Sequence, residues 1–189
     1  KACPDPVIPL TNNRKRLNKA ILKMQPWSGN GTMVNLGAVW GWRLLSPGAP
    51  FTEGKPYETE GNRKAIIIMT DGVNFFSGVN RRCTQTNPRY SSQYTGYGYL
   101  SEGRLGGARN QFTAQARLNE RLLTVCRNMR DLDILVFTIV FQLRDARTAA
   151  VFRNCATTPD RFFNSPRPED LRAAFRAIGA ELANLRVAR

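Results

Sequence analysis

The chain has 189 residues, of which 42% are apolar and 22% charged, a composition typical of a globular protein that buries a core. It carries 28 Lys and Arg against 14 Asp and Glu, a formal net charge of +14, and it contains no histidine. The lack of histidine excludes Ser-His-Asp and Cys-His catalysis and His-ligated zinc, so we expect a protein that is not an enzyme. The positive charge predicts some affinity for polyanions.

Helical and strand patterns alternate along the chain. We expect helices over 14–25, 33–45, 111–130, 146–155 and from 168 onward, and strands over 64–70, 134–141 and 161–164. Thr11 or Asn12 is the expected cap of the first helix. Strand 64–70 is apolar on both faces, which is typical of a central strand in a parallel sheet, and 161–164 is expected at the sheet edge. The alternation predicts an α/β fold with a mostly parallel sheet flanked by helices, forming one domain over 1–189 with a long loop or insertion at about 73–109.

Two oxygen-bearing side chains are candidates for a cation site. Asp71 follows the buried strand 64–70, and Thr32 is expected to open a helix after a glycine-rich loop. Ligands of parallel sheets bind at the carboxyl ends of the strands, and carboxylate and hydroxyl oxygens suit Mg²⁺ or Ca²⁺. The alternative is that Asp71 only ends a strand and that Thr32 only caps a helix.

Several motifs resemble one family. The segment 29–37, with Thr32 in its middle, resembles the threonine loop of a von Willebrand factor type A domain, and 66–72 resembles the strand of that family that ends in the metal-site aspartate. More narrowly, five segments resemble the C-terminal part of TadG-type proteins of the Flp (tight adherence) pilus system: 40–47, 50–54, 70–74, 97–100 and 175–179. The likeness covers nearly the whole chain.

The resemblance implies a metal ion-dependent adhesion site formed by three loops. Thr32 and Asp71 match the second and third loops, whereas the Asp-x-Ser-x-Ser of the first loop, and the central strand that carries it, have no counterpart here. We therefore expect an upstream segment, or a separate cleaved piece, to complete the sheet. The family implies binding or adhesion in the bacterial cell envelope, in the periplasm or at the cell surface, with other pilus or envelope proteins or an extracellular ligand as partner.

The chain itself shows no anchoring or targeting segment. Its longest apolar runs, 65–69 and 134–140, fall far short of the ~20 residues that span a bilayer, and no signal peptide opens it. We expect an N-terminal transmembrane helix upstream of this chain. The competing function is a basic domain that binds polyanions and has only a vestigial metal site.

The loop 73–109 is a candidate recognition surface. It is rich in Asn, Ser and Gly and starts at the edge where the metal is expected, and Tyr provides large contact area at low entropic cost. The candidate contact residues are Asn74, Tyr90, Tyr94, Tyr97 and Tyr99. The alternative is that the tyrosines pack on the protein's own body.

Four cysteines, Cys3, Cys83, Cys126 and Cys155, are widely spaced, as in proteins with one or two disulfides from an oxidising compartment. Cys126 and Cys155 lie on helices that flank one strand, so a bridge between them is geometrically reasonable, which leaves Cys3 and Cys83 to pair or stay free. The alternative is that Cys126 is a buried free thiol.

Overall fold

The structure is a computed structural model and describes residues 5–25, 31–76 and 92–187. The helices in these ranges are α1 (Arg14–Lys23), α2 (Val34–Leu45), α3 (Gln111–Asp131), α4 (Ala146–Cys155) and α5 (Pro168–Val187). The strands are β1 (Gly31–Thr32), β2 (Ala65–Thr70), β3 (Phe75–Phe76), β4 (Leu135–Phe141) and β5 (Phe162–Ser165).

The sheet confirms the predicted fold class. Strands β2, β4 and β5 form a parallel sheet in the order β2-β4-β5, with Ala65 opposite Leu135 and Thr138 opposite Phe162. Helices α2, α3 and α4 pack on one face of this sheet, and α5 packs on the other. The structure is therefore a mixed α/β fold of the Rossmann-like type, with helices on both faces of a parallel sheet.

Strand β2 differs from its prediction, because it lies at an edge of the described sheet. The central strand is β4, whose residues 136–140 are all buried. In β2, by contrast, Ile67 is 37% exposed and Met69 is 46% exposed. Although β2 is apolar on both faces, the described residues cover one of them more completely than the other. One edge of β2 and part of its other face are therefore open.

Helix α3 joins two parts of the core. Asn110 caps it by accepting a hydrogen bond from the Thr113 N–H. One side of the helix is buried along its whole length, through Ala114, Leu118, Leu122, Cys126 and Met129. The C-terminal half of this side packs against the sheet, and the N-terminal half packs under the segment 92–109. The described part of the predicted loop is thus a folded layer with its own small core.

Helix α1 ends earlier than predicted, at Lys23. Its cap is Asn13 rather than Thr11 or Asn12, since the Asn13 side chain accepts from the Arg16 N–H. No residue of α1 is buried. The apolar face predicted for this helix exists but is uncovered: Ile21 is 60% exposed, and Leu17 is 37% exposed.

Candidate functional site

The turn after β2 presents a carboxylate to solvent. Thr70 is buried, and its hydroxyl donates to the Gly72 carbonyl at 2.8 Å while accepting from the Gly72 N–H at 3.2 Å. These two bonds close a tight turn over Asp71 and leave the Asp71 side chain exposed at its tip. The carboxyl end of β2 therefore offers an unburied, acceptor-only group.

Thr32 lies beside this turn, although it does not open a helix as predicted. It belongs to β1, which pairs antiparallel with β3 so that Thr32 is opposite Phe75, and α2 begins only at Val34. A Cβ atom built on Gly72 would lie 3.5 Å from the Thr32 hydroxyl oxygen. The structure thus brings Thr32 next to the residue that follows Asp71.

Both side chains line the same groove, which has a volume of about 520 Å³ and lies between β2 and the N-terminal half of α2. At Gly41 the helix α2 approaches β2 closely, because a Cβ on this glycine would lie 2.7 Å from Ile66 Cδ1. Thr32 and Asp71 are among the polar residues of its lining. The groove is therefore lined by apolar residues of α2 and β2 together with the hydroxyl of Thr32 and the carboxylate of Asp71.

Thr32 and Asp71 carry the kinds of oxygen atom that a hard cation takes as ligands. Mg²⁺ and Ca²⁺ take six or more oxygens and often keep water, so a hydroxyl beside an exposed carboxylate suits either ion. In the described ranges, no group of three or more His, Cys, Asp or Glu residues is placed to hold a metal. The remaining ligands of any ion held here must come from elsewhere.

The open edge of β2 has a defined hydrogen-bonding pattern. The Leu135 N–H donates to the Lys64 carbonyl at 2.9 Å, and alternate residues of a strand in a parallel ladder point both backbone groups to the same neighbour. Ile66 and Ile68 therefore face β4, whereas Ile67 and Met69 point their N–H and C=O groups away from it. A strand edge of this kind, apolar and without Lys or Pro, is a template for pairing with another strand.

Asn74 was predicted to contact a partner, and the structure corrects this. Its side chain is only 3% exposed. Its Oδ1 accepts from the Val34 N–H at 2.9 Å, and its Nδ2 donates to Asn119 Oδ1 at 2.8 Å. An amide that is buried and used on both sides offers no surface to a partner.

The tyrosines of the segment 92–109 divide into two groups, and Tyr90 lies outside the described residues. Tyr97 packs on the body of the protein: its hydroxyl accepts from Asn35 Nδ2 at 2.5 Å, and its ring lies under the Arg121 guanidinium at 4.9 Å. Tyr94 is 63% exposed and stacks edge-on against Tyr99, with ring centroids 5.1 Å apart. Tyr94 is thus the exposed tyrosine among the described residues of this segment, and Tyr99 packs against it.

A disulfide joins Cys126 of α3 to Cys155 of α4, with Cα atoms 5.1 Å apart, and both residues are fully buried. Next to it, Arg130 Nη1 donates to the carbonyls of Asn154 and Ala156 at 2.6 and 2.9 Å. Cys3 lies outside the described residues, as does Cys83. The bridge lies in the core between the sheet and the helices α2, α3 and α4.

Positive charge is most concentrated on α1. Five of its ten residues are basic and none is acidic: Arg14, Lys15, Arg16, Lys19 and Lys23. Elsewhere some basic residues are paired, for instance Arg161 with Glu181, at 2.8 Å between Nε and Oε1. In the described ranges, none of the helices combines the length and apolar character required to cross a membrane.

Comparisons with known proteins support the fold. No protein-family model matches the chain, and no curated protein matches it. Among solved structures, the chain is similar to the crystal structure of the pilus adhesin SpaC from Lactobacillus rhamnosus GG, with a TM-score of 0.53 and 16% identity. The match covers 89% of this chain and 21% of the SpaC chain, so this chain spans about a fifth of the length of that protein. At this identity the likeness shows a shared α/β fold.

Proposed function

We propose that the chain is a von Willebrand factor A-type module that acts in protein binding or adhesion, as part of a pilus-associated envelope protein of the TadG type. The module binds rather than catalyses. Two independent features support this function: the motifs that resemble the family, and a fold shared with a protein described as a pilus adhesin. Its partners are other pilus or envelope proteins or an extracellular ligand, and an upstream transmembrane helix anchors it.

The observation that carries this proposal is the open edge of β2. It exposes Ile67 and Met69 and borders the groove between β2 and α2, as expected of a sheet that lacks a neighbouring strand. An upstream segment of the same protein adds this strand. The uncovered apolar face of α1 is a second surface that such a segment can cover.

The added segment also completes a cation site. Thr32 and Asp71 are the residues of this chain that would hold Mg²⁺ or Ca²⁺, and the ion would supply a positive charge able to accept a carboxylate from a partner. The upstream segment, the partner and water provide the other oxygens. This arrangement explains why both donors lie at the rim of the open groove and not in the interior.

A second function, binding of a polyanion, is favoured by α1. Its five basic residues and lack of acidic ones give the densest positive charge of the described chain. In this alternative the Thr32–Asp71 pair holds no ion, and affinity depends on the release of counterions from the polyanion.

The experiment compares Asp71→Ala with Asp131→Ala in the full-length protein of the producing bacterium. Asp131 is also exposed, and its replacement changes the net charge by the same amount as Asp71→Ala does. It lies at the end of α3 and does not line the groove. We expect Asp71→Ala, or EDTA with wild type, to abolish adhesion and reduce pilus number in electron micrographs, whereas Asp131→Ala leaves both unchanged. Adhesion that ignores EDTA and Asp71→Ala but falls steeply as salt rises would instead support polyanion binding.

A further inference from the structure

The beginning of α2 is capped from a distant part of the chain. The residue that precedes the helix, Met33, makes no capping hydrogen bond with its side chain. The first helical N–H, that of Val34, is instead paired with Asn74 Oδ1, forty positions further along the chain. An N–H group at a helix start needs such a partner, so Asn74 fixes where α2 begins.

This hydrogen bond joins the chain segment that carries Thr32 to the segment that carries Asp71. Thr32 is two residues before Val34, and Asp71 is three residues before Asn74. Very short backbone segments therefore connect both candidate ligands to the same Asn74–Val34 hydrogen bond. The segment that carries Thr32 and the segment that carries Asn74 are also linked by the β1–β3 ladder, which is only two residues long.

The opposite end of the Asn74 amide is anchored in the helical layer. Its Nδ2 donates to Asn119 on α3, so the amide cannot rotate without breaking a buried hydrogen bond. About two turns earlier on α3, Gln111 donates to the Phe76 carbonyl and holds β3. The turn that carries Asp71 is thereby fixed to α2 and to α3 at once.

We propose that Asn74 is a positioning residue, which holds the Thr32 hydroxyl beside Asp71 and so sets the cation affinity of this pair; the inference rests on the proposed function. Ligand pairs bind well only when they are held within about 0.5 Å of the productive geometry. Loss of a residue that orients metal ligands typically weakens metal binding by about 10- to 100-fold.

The test uses Mn²⁺ as the probe, with its affinity measured on the protein that includes the upstream segment and the Thr32–Gly72 proximity measured on the 189-residue chain. Water-proton relaxation measures Mn²⁺ affinity, and the nuclear Overhauser effect between the Thr32 side chain and the Gly72 Hα measures their proximity without metal. We expect Asn74→Ala to weaken Mn²⁺ binding about tenfold and to lose the Overhauser effect. Asn74→Asp should keep the Mn²⁺ affinity and the Overhauser effect, because the introduced carboxylate still accepts from the Val34 N–H. The Asn119 amide can turn so that its Nδ2 donates to this carboxylate.

Ile178→Ala is the control for general loss of stability, since this residue of α5 is buried against the other face of the sheet. It should lower stability yet leave Mn²⁺ affinity unchanged. The proposal is overturned if Asn74→Ala keeps the Overhauser effect, or if Ile178→Ala weakens Mn²⁺ binding as much as Asn74→Ala does. If wild type shows no saturable Mn²⁺ binding, the metal assignment fails, and the Overhauser effect still decides the role of Asn74.

Discussion

Reduction of the Cys126–Cys155 disulfide should cost this protein a large part of its stability. The bridge links α3 to α4 across a sequence separation of 29 residues. If the bridge mainly restricts the unfolded chain, closing a loop of that length stabilises the fold by about 3.5 kcal/mol. Since small domains are stable by only about 5–15 kcal/mol, reduction should lower the melting temperature by roughly 10 °C.

The assay is urea unfolding followed by tryptophan fluorescence, with and without a phosphine reductant. Cys3→Ser and Cys83→Ser are introduced first, so that only the Cys126–Cys155 pair responds. A variant that also carries Cys126→Ala and Cys155→Ala is the control, and reductant should not affect it. An unfolding midpoint that reductant leaves unchanged, or a Cys126 from periplasmic protein that is alkylated without reduction, would show that the bridge does not stabilise the protein.

Three further predictions concern stability. Lys64→Met should cost about 1–3 kcal/mol, because the buried ammonium donates to the carbonyl of Leu45 at the end of α2 and to that of Lys55 in the loop that follows. Burial also lowers the pKa of Lys64, so the unfolded chain binds more protons and stability should rise as pH approaches 10.5; urea titrations should show that Lys64→Met removes this rise. A double-mutant cycle with Arg161→Met and Glu181→Gln should give a coupling of about 1 kcal/mol, because this half-buried pair ties β5 to α5, and additive effects would contradict that role. Ile67→Lys should change the stability of the 189-residue chain by less than ~0.5 kcal/mol but destabilise a longer protein that contains the upstream strand; equal effects in both would disprove strand addition at β2.

The sequence predicted the layers of the fold better than the position of each strand. Alternating apolar runs and amphipathic helices were sufficient for the parallel sheet, because burial on both faces leaves a clear pattern in β4. The same pattern in β2 was interpreted as a central strand, and the described chain leaves that strand at an edge. The apolar side chains of a strand show that it is suited to burial on both faces. The described residues bury β2 only in part.

The candidate site was only partly predictable. Thr32 and Asp71 were recognised from motifs, yet the short β1–β3 ladder that brings Thr32 to the turn has no periodicity to detect. The roles of Asn74 and Asn119 depend on hydrogen bonds between segments far apart in the chain, for which a lone Asn gives no local signal. Lys64 was missed for a similar reason, since the carbonyls it bonds become neighbours only after folding.

Site-resolved amide hydrogen exchange tests the open edge of β2 most directly. The N–H groups of Ile66 and Ile68 bond to β4, while those of Ile67 and Met69 face the open edge. The 189-residue chain should therefore show alternating protection along β2, with fast exchange at Ile67 and Met69, and in the protein extended by its upstream segment all four should be protected. Protection of Ile67 and Met69 in the chain alone, or fast exchange at both in the extended protein, would contradict the account.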